Sequence, residues 1–302
     1  MLQAEQSRSG TWFVLMAATL WGTTGTAQAF APDGFDPLIL GTLRLALGGG
    51  AMLLLVLLRG GFSQLRGWPL KTTLAAAAFT ALYHAFFFVG IAKTGVAVGT
   101  IVCIGSAPVA GGILGYLFRG ERPGRYWFIS TTLAIIGCVL LTFSSGGDVI
   151  VDPVGVALAI GAGVAYAAYA LAFKGLLEQH ESITAIAVVF CLGSLMLAPL
   201  LVGRELDWLA EPRGVGVILH LGLVTAALGY WLFARGLQQV PVATAMTLTL
   251  AEPLTAGLLG LLVLGEQLNP IAFAGIALIF SGLAVLSLAG RALPDKPADF
   301  AG

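Results

Sequence analysis

The chain has 302 residues, of which 58% are hydrophobic and only 10% are charged, and its formal net charge is zero. Because ordinary soluble domains carry about 25% charged residues, this composition excludes a soluble protein and places the chain in a lipid bilayer. The balanced charge provides no basic surface, so we expect no nucleic-acid partner.

Apolar stretches long enough to cross a bilayer follow one another along the sequence. A crossing helix needs about 20 mostly apolar residues, and short turns rich in Gly, Pro and Asp separate the candidates. No loop is long enough for a separate soluble domain, which predicts an all-α integral membrane protein with ten transmembrane helices. The ten stretches are residues 10–30, 37–58, 69–92, 96–118, 125–143, 153–174, 183–203, 215–234, 241–264 and 270–290.

The first stretch also has features of a secretory signal, because Arg8 precedes it and Ala27-Gln28-Ala29 imitates a cleavage site. Two features favour a retained helix instead. Trp21 and the Gly-Thr-Thr that follows it are atypical of a signal core, and the segment has a counterpart later in the chain. We therefore expect the first helix to stay in the membrane.

The sequence consists of two similar halves. The stretch at residues 108–121 resembles the stretch at residues 253–266, and further matched residues keep the same ungapped separation. We predict two five-helix repeats, residues 1–150 and 151–302, within one integrated transmembrane domain. Because five is odd, the second repeat must enter the membrane from the opposite side, so the repeats are inverted. The matched residues include Pro108 and Pro253, Gly120 and Gly265, and Glu121 and Glu266.

These matched residues also have structural interpretations. Pro108 and Pro253 each remove a backbone hydrogen bond in mid-membrane, which predicts a kink that serves as a hinge or only shapes a cavity. The glycine of each Gly-Glu pair predicts a helix stop. We interpret Glu121 and Glu266 as polar groups that cap helix ends rather than as substrate contacts.

The positive charges are distributed unevenly between the two sides of the predicted helices. Most of the 15 Lys and Arg residues lie at the termini and in the loops on one side, and positively charged loops stay in the cytoplasm. Both termini are therefore predicted to be cytoplasmic. The halves also differ as inversion requires, because the loop after the fourth helix holds Arg119, Arg122 and Arg125, whereas the loop after the ninth holds no arginine.

A proline in the fourth helix, a Gly-Glu pair at its end and a glycine-punctuated helix after it occur in both halves. This pattern resembles the drug/metabolite transporter superfamily, more narrowly its EamA-type branch, and within that branch the bacterial aromatic amino acid exporters. The resemblance covers essentially the whole chain. It implies a multi-pass carrier of the bacterial inner membrane, with a central cavity lined by both halves and no cofactor. Since the two halves supply their own pseudo-symmetric interface, we expect a monomer.

Aromatic and polar side chains share helix faces in mid-membrane. Tyr83 and His84 lie together on the third predicted helix, Trp21 heads a similar stripe on the first, and Tyr166 and Tyr169 lie on the sixth. Aromatic rings with a few polar anchors suit a small ligand that has an aromatic side chain and a zwitterionic backbone. The alternative is that the rings fill the core and that His84 makes an interhelical hydrogen bond.

Few charged residues are predicted inside the bilayer, where their cost makes them functional-site hypotheses. Glu252 lies in mid-helix before a proline, where it can bind a cation, accept a proton, pair with a substrate ammonium or pair internally with Arg44 of the second helix. Arg44, Glu252 and Ser106 are our candidates for the polar end of the substrate. On the eighth helix, the repeat places Trp231 rather than Tyr230 at the cavity.

Other function classes lack their residues in this sequence. There is no H-E-x-x-H or G-x-S-x-G motif and no metal-ligand spacing among the three cysteines, so we expect no catalytic residue, metal or cofactor. A phosphorylated sugar would need more cavity cations than Arg44. We predict an exporter of small neutral or zwitterionic metabolites that works by alternating access, with aromatic amino acids first. Other amino acids, drug-like amphiphiles and, remotely, an intramembrane enzyme remain alternatives, and the sequence leaves proton coupling open.

Overall fold

The computed structural model describes residues 2–61, 67–143, 152–265, 267 and 269–289, and within them the protein is all-helical, as predicted. Two 3₁₀ turns, Ala198–Leu201 and Asp207–Ala210, and a π-helical segment, His220–Leu228, interrupt the α-helices. The α-helices are α1 Leu2–Ala29, α2 Pro37–Leu58, α3 Leu70–Thr94, α4 Val96–Arg119, α5 Arg125–Phe143, α6 Pro153–Leu177, α7 Ser182–Leu197, α8 Pro212–Leu219, α9 Gly229–Leu237, α10 Val242–Leu248, α11 Ala251–Leu262 and α12 Pro270–Ala289.

Within the described residues, nine helical segments are long and apolar enough to cross a membrane. They correspond to nine of the ten predicted crossings. The remaining stretch, residues 10–30, lies in α1, which is the least apolar of the long helices because threonines and glycines dilute its apolar residues. The structure therefore agrees with an integral membrane protein, while ten crossings stay a prediction.

The predicted eighth and ninth helices are not continuous. The eighth consists of α8, the π segment and α9, and the ninth is divided into α10 and α11 at Thr249 and Leu250. Pro253 explains the division, since it has no N–H to offer the Thr249 carbonyl. That carbonyl accepts instead from the Glu252 N–H at 2.9 Å. In the first half, α4 continues past Pro108 without interruption, so the two matched prolines act differently.

The predicted helix stops are present. Gly120 and Gly265 have φ values of 65° and 69°, the left-handed conformation that ends a helix and that side chains other than glycine rarely adopt. Asn269 caps α12, because its side-chain oxygen accepts from the Ala272 N–H at 2.9 Å. Glu266 lies outside the described residues.

The two halves interleave rather than lie side by side. α3 packs most extensively against α6. In the other half, the counterpart of α3 is the π segment with α9, and it packs against α1, the counterpart of α6. Likewise α4 packs against α6, while α10 and α11 pack against α1; α2 packs against α7, and α5 against α12. The main contacts between the halves thus recur when the halves are exchanged, and the described helices pack more extensively against the other half than within their own.

Glycines set the distance between α5 and α12. A Cβ added to Gly275 would lie 2.6 Å from the carbonyl oxygen of Gly137 and 2.7 Å from the amide nitrogen of Leu141. A Cβ added to Gly282 would lie 2.6 Å from the carbonyl oxygen of Ser130. Because these neighbours are backbone atoms, they cannot move aside cheaply. The helices approach this closely because both lack side chains at the contact, as is typical of helix pairs in membranes.

We expect Gly275→Ala to lower the melting temperature of the purified protein in detergent, because an added methyl that forces two backbones apart costs about 1–3 kcal/mol. Gly50→Ala is the control, since a Cβ on this α2 glycine meets no atom within 4 Å. Intrinsic tryptophan fluorescence during heating measures both variants. Equal melting temperatures in the two would show that the α5–α12 contact has more room than the structure gives it.

Candidate functional site

A cavity of about 430 Å³ lies between the two halves, and two further cavities of about 590 and 100 Å³ adjoin it. Thr100 of α4 and Glu252 of α11 line all three, so the three adjoin one another around these residues, and together we call them the central cavity. The two larger volumes fall within the range of about 300–1,000 Å³ that is usual for small-molecule sites. The sequence-predicted residues that line this space are Trp21, Arg44, Tyr83, His84, Tyr166 and Glu252.

The space extends to one end of the helix bundle. At its wide end it is lined by Phe35 of the α1–α2 turn, Thr142 at the end of α5 and Leu264 after α11. We call this end the α1–α2 face, and the opposite end, where α4 and α6 end and α10 begins, the α4–α5 face. The cavity is therefore accessible from the α1–α2 face.

Aromatic rings from both halves form one cluster at the inner end of the cavity. The Trp21 ring lies 4.7 Å from that of Tyr230 and 5.3 Å from that of Phe233, measured between centroids. The Tyr83 ring lies 5.3 Å from the Tyr166 ring, which meets Trp21 edge-on at 6.5 Å. The cluster thus joins α1 and α3 of the first half to α6 and α9 of the second, and it provides flat apolar surfaces for a ligand.

Contacts with the π segment and with α9 fix the position of Trp21. Its indole Nε1 donates to the Thr225 carbonyl at 2.9 Å, in the π segment. A Cβ on Gly229 would lie 2.8 Å from that nitrogen, so only glycine leaves room for the ring. Gly22 lets α1 approach α11, because a Cβ there would lie 2.7 Å from the Glu252 carbonyl oxygen. The pair Trp21-Gly22 therefore positions both an aromatic and an acidic wall of the cavity.

Arg44 and Glu252 face the same cavity from opposite halves. Both line the central space, and no salt bridge joins these two side chains. Tyr230 lines the same cavity as Arg44, and Arg44 Nε has no partner among the described residues. A cation and an anion are thus both available to one ligand, which is the requirement for holding a zwitterion.

His84 lines the cavity beside Tyr83, with ring centroids 4.9 Å apart. Its Nδ1 lies 2.8 Å from the Thr80 carbonyl oxygen, one turn earlier on α3. Because a carbonyl oxygen only accepts, Nδ1 carries the proton of this bond. The interhelical hydrogen bond to a hydroxyl, which was the alternative interpretation from the sequence, is not formed by this nitrogen.

Three sequence-predicted residues lie outside the cavity lining. Ser106 packs between α4 and α6 against Gly163, and its hydroxyl donates to the Cys103 carbonyl at 3.0 Å. Tyr169 is buried behind Tyr166, 6.3 Å between ring centroids. Trp231 points away from the cavity, with the Arg235 guanidinium 5.9 Å from its ring.

Tyr230, and not Trp231, lines the cavity, which corrects the assignment made from the repeat. The expectation for Trp231 rested on its counterpart Phe86 of α3, and Phe86 does not line the cavity either but packs against α6. Tyr230 lines the cavity although its counterpart Ala85 does not, which fits the π segment just before it, since a π turn holds one more residue than an α turn and shifts the helix register. Besides Tyr230, sequence reasoning missed Thr100, whose position in the fourth predicted helix carried no distinctive signal.

The α4–α5 face is closed by charged groups that join the halves. Glu121 Oε2 accepts from the Val242 N–H at 2.8 Å, and its Oε1 lies 3.5 Å from Lys174 Nζ. Lys174 also donates to the Val240 carbonyl at 2.5 Å. Arg119 forms an ion pair with Glu178 and lies 3.7 Å from Glu121. Glu121 thus caps a helix of the other half, and this cluster, here called the Glu121 cluster, joins the two halves at the α4–α5 face.

Comparison with known proteins places the chain in a family. A family model described as the EamA-like transporter family matches residues 8–143 and again 153–288. The chain is 44% identical over 279 residues to the uncharacterized transporter YwfM of Bacillus subtilis (strain 168), which covers 92% of this chain and 94% of YwfM. It is 33% identical over 170 residues, 55% of each chain, to the threonine/homoserine exporter RhtA of Escherichia coli (strain K12).

The fold is also similar to a known structure. A protein of known crystal structure superposes with a TM-score of 0.83, covering 95% of this chain and 99% of that chain at 20% identity, a likeness that concerns the fold alone. The two family matches together span most of the sequence, and the described helices suit a multi-pass membrane protein. The chain therefore belongs to the EamA-like transporter family, within the drug/metabolite transporter superfamily, and is a membrane transporter.

Proposed function

We propose that this transporter exports zwitterionic amino acids across the bacterial inner membrane, with aromatic amino acids as its preferred substrates. The observation that carries the proposal is the presence of Arg44 and Glu252, unpaired with each other, beside an aromatic cluster in one cavity. A ligand with one carboxylate, one ammonium and one aromatic ring matches all three features. Homologues named as transporters support a carrier rather than an enzyme.

In this proposal the substrate carboxylate binds the Arg44 guanidinium, which offers a planar fork of N–H donors. The substrate ammonium faces the Glu252 carboxylate, and the aromatic ring stacks among Trp21, Tyr83 and Tyr166. Binding both charges at once leaves the occupied site neutral, which lowers the cost of holding it within the membrane. No metal or cofactor takes part, and one chain suffices because both halves line the site.

We propose ten crossings arranged as inverted repeats, with both termini cytoplasmic and residues 1–150 and 151–302 as the two halves. The α4–α5 face is then cytoplasmic, and the described conformation is open to the outside. Alternating access requires the Glu121 cluster to separate when the cavity opens to the cytoplasm. The packing symmetry between the halves supports this arrangement.

Threonine or homoserine is the second candidate substrate. RhtA, which carries those substrates in its name, shares 33% identity over 170 residues with this chain. Within the cavity, Thr24 and Thr100 place hydroxyl groups where a hydroxylated side chain would meet them, and the Thr24 hydroxyl has no partner among the described residues. This candidate uses the same two charges and differs only in what binds the side chain.

Substrate analogues test the assignment of the two charges. The purified protein is reconstituted into liposomes that are loaded with either radiolabelled tryptophan or radiolabelled threonine. We expect efflux of tryptophan to be faster than efflux of threonine. Tryptamine, which has no carboxylate, and N-acetyltryptophan, which has no ammonium, should compete with tryptophan poorly. Losing a charge-assisted hydrogen bond worth about 1.5–3 kcal/mol corresponds to at least about tenfold weaker competition.

Variants separate the two ends of the substrate. We expect Arg44→Gln to weaken tryptophan efflux and to let tryptamine, but not N-acetyltryptophan, compete as well as tryptophan itself. We expect Glu252→Gln to let N-acetyltryptophan, but not tryptamine, compete as well as tryptophan itself. Arg59→Gln, at the exposed end of the same helix as Arg44, is the matched control and should behave as wild type. Release of threonine without tryptophan would favour the second candidate, and release of neither would refute the amino acid proposal.

The Glu121 cluster is tested by accessibility. The three native cysteines are replaced, and Ala243, which is buried and whose carbonyl accepts from Trp127 Nε1, is then substituted by a single cysteine. In the Glu121→Gln variant, a membrane-impermeant maleimide applied from the α4–α5 face should modify this cysteine about tenfold faster, because a buried charged contact of about 1.5–3 kcal/mol no longer holds this face closed.

Glu178→Gln is the matched control for this measurement. Its side chain is 56% exposed, compared with 12% for both Glu121 and Lys174, and exposed ion pairs contribute about 0–1 kcal/mol. We expect its labelling rate to stay within about twofold of the unsubstituted protein. Equal acceleration in both variants would indicate general loosening of the bundle rather than a specific closing contact.

A further inference from the structure

A second cavity, of about 450 Å³, lies beside the central one, between α1, α8 and α11. Its surroundings are mostly apolar, and Phe30, with 55% of its surface exposed, forms part of its rim. We call it the lateral groove, because α8, which contributes no residue to the lining of the central cavity, forms one of its walls. Its main lining residues are Thr23, Thr26, Phe30, Arg213, Gly216 and His220.

The groove has a definite shape. Arg213, Gly216 and His220 are spaced by three and four residues, so they lie along one face of α8 and its continuation. A Cβ on Gly216 meets no atom within 4 Å, which leaves the middle of the groove open. At the deep end, Thr23 Oγ1 lies 2.8 Å from His220 Nε2, so these polar groups satisfy each other. The groove is thus a slot with an apolar body and a charged entrance.

The charge at the entrance is Arg213, the second residue of α8. It is exposed and forms no salt bridge with any described residue, including Glu211 two positions before it. Arginine near the end of a membrane helix extends to the headgroup level. A molecule that fills this slot in a membrane therefore has a hydrocarbon chain and a negative group beside the guanidinium.

We propose that the lateral groove binds one anionic phospholipid, with an acyl chain along Gly216 and the phosphate at Arg213. Hydrocarbon matches the apolar body, and the guanidinium matches phosphate in geometry and charge. Thr26 lines both the groove and the wide end of the central cavity. The bound lipid therefore packs against the outer side of the α1 wall whose inner side faces the substrate space.

The experiment uses the full-length protein in phosphatidylcholine vesicles that contain a phosphatidylglycerol analogue with a photoreactive acyl chain. After irradiation, mass spectrometry locates the labelled peptides. We expect labelling at residues 23–30 of α1 and along α8, reduced by unlabelled phosphatidylglycerol more than by phosphatidylcholine with identical chains. The preference for the anionic lipid should be about fivefold, the effect of one favourable cation near the membrane surface.

Substitutions distinguish the slot from its charge. Gly216→Leu should abolish labelling at these sites, whereas Gly50→Leu, at another helical glycine with open space around it, should leave it unchanged. Arg213→Gln should remove the preference for phosphatidylglycerol, and Arg213→Lys should retain part of it. Melting temperatures identify any variant that fails to fold. Labelling spread evenly over the membrane-facing helices and insensitive to Gly216→Leu would overturn the proposal, as would equal competition by both lipids.

Discussion

Polar groups inside a membrane have no water to bond, so this protein must satisfy them within its own chain. It does so mostly over short distances: the Thr42 and Thr80 hydroxyls each donate to the carbonyl one turn earlier. Longer links join the halves, as when Trp127 Nε1 donates to the Ala243 carbonyl. Among the described residues, five buried side-chain polar atoms have no partner, and two of them, on Arg44 and Thr24, belong to residues that line the cavity. These two atoms can therefore bond to a ligand; the other three are on Tyr169, His180 and Trp208.

The packing of the helices is symmetric on exchange of the halves, but the polar contacts are not. Lys174, near the end of α6, holds Glu121 on the α4–α5 face. At the separation that relates Pro108 to Pro253, the counterpart of Lys174 is Ala29, which has no charge to offer the α1–α2 face. At the α1–α2 face the ion pair between Arg204 and Asp36 joins the halves instead, and these side chains are 49% and 24% exposed, compared with 12% for both Lys174 and Glu121. The charged contact is therefore more deeply buried at the α4–α5 face than at the face toward which the cavity opens.

Much of the fold follows from sequence, because its determinants are local or repeat along the chain. Apolar length predicts the helices, and the glycines at Gly120 and Gly265 predict where two of them end. Glu252 was identifiable as a cavity residue because a charged residue in mid-membrane is unusual, and Trp21 and Tyr83 because they share helix faces with polar residues. Trp231 and Ser106 were misplaced for different reasons. The position of Trp231 was inferred from its counterpart Phe86, which itself lies outside the cavity lining. The position of Ser106 depends on Gly163 of another helix, and neither effect is visible in a periodic pattern.

Both irregular stretches of the second half border the substrate space. The π segment supplies the carbonyl that fixes Trp21, and the division at Thr249 lies one turn before Glu252. Irregular helical backbone in a membrane is tolerated where protein or a cavity satisfies the released groups, and both conditions are met here. Their counterparts α3 and α4 are continuous. The first half thus presents rigid walls, and the second presents helices whose backbone is already interrupted beside the aromatic cluster and the carboxylate. In the proposed transport cycle, bending at these interruptions would disturb no regular helix and would move the two groups that we propose contact the substrate.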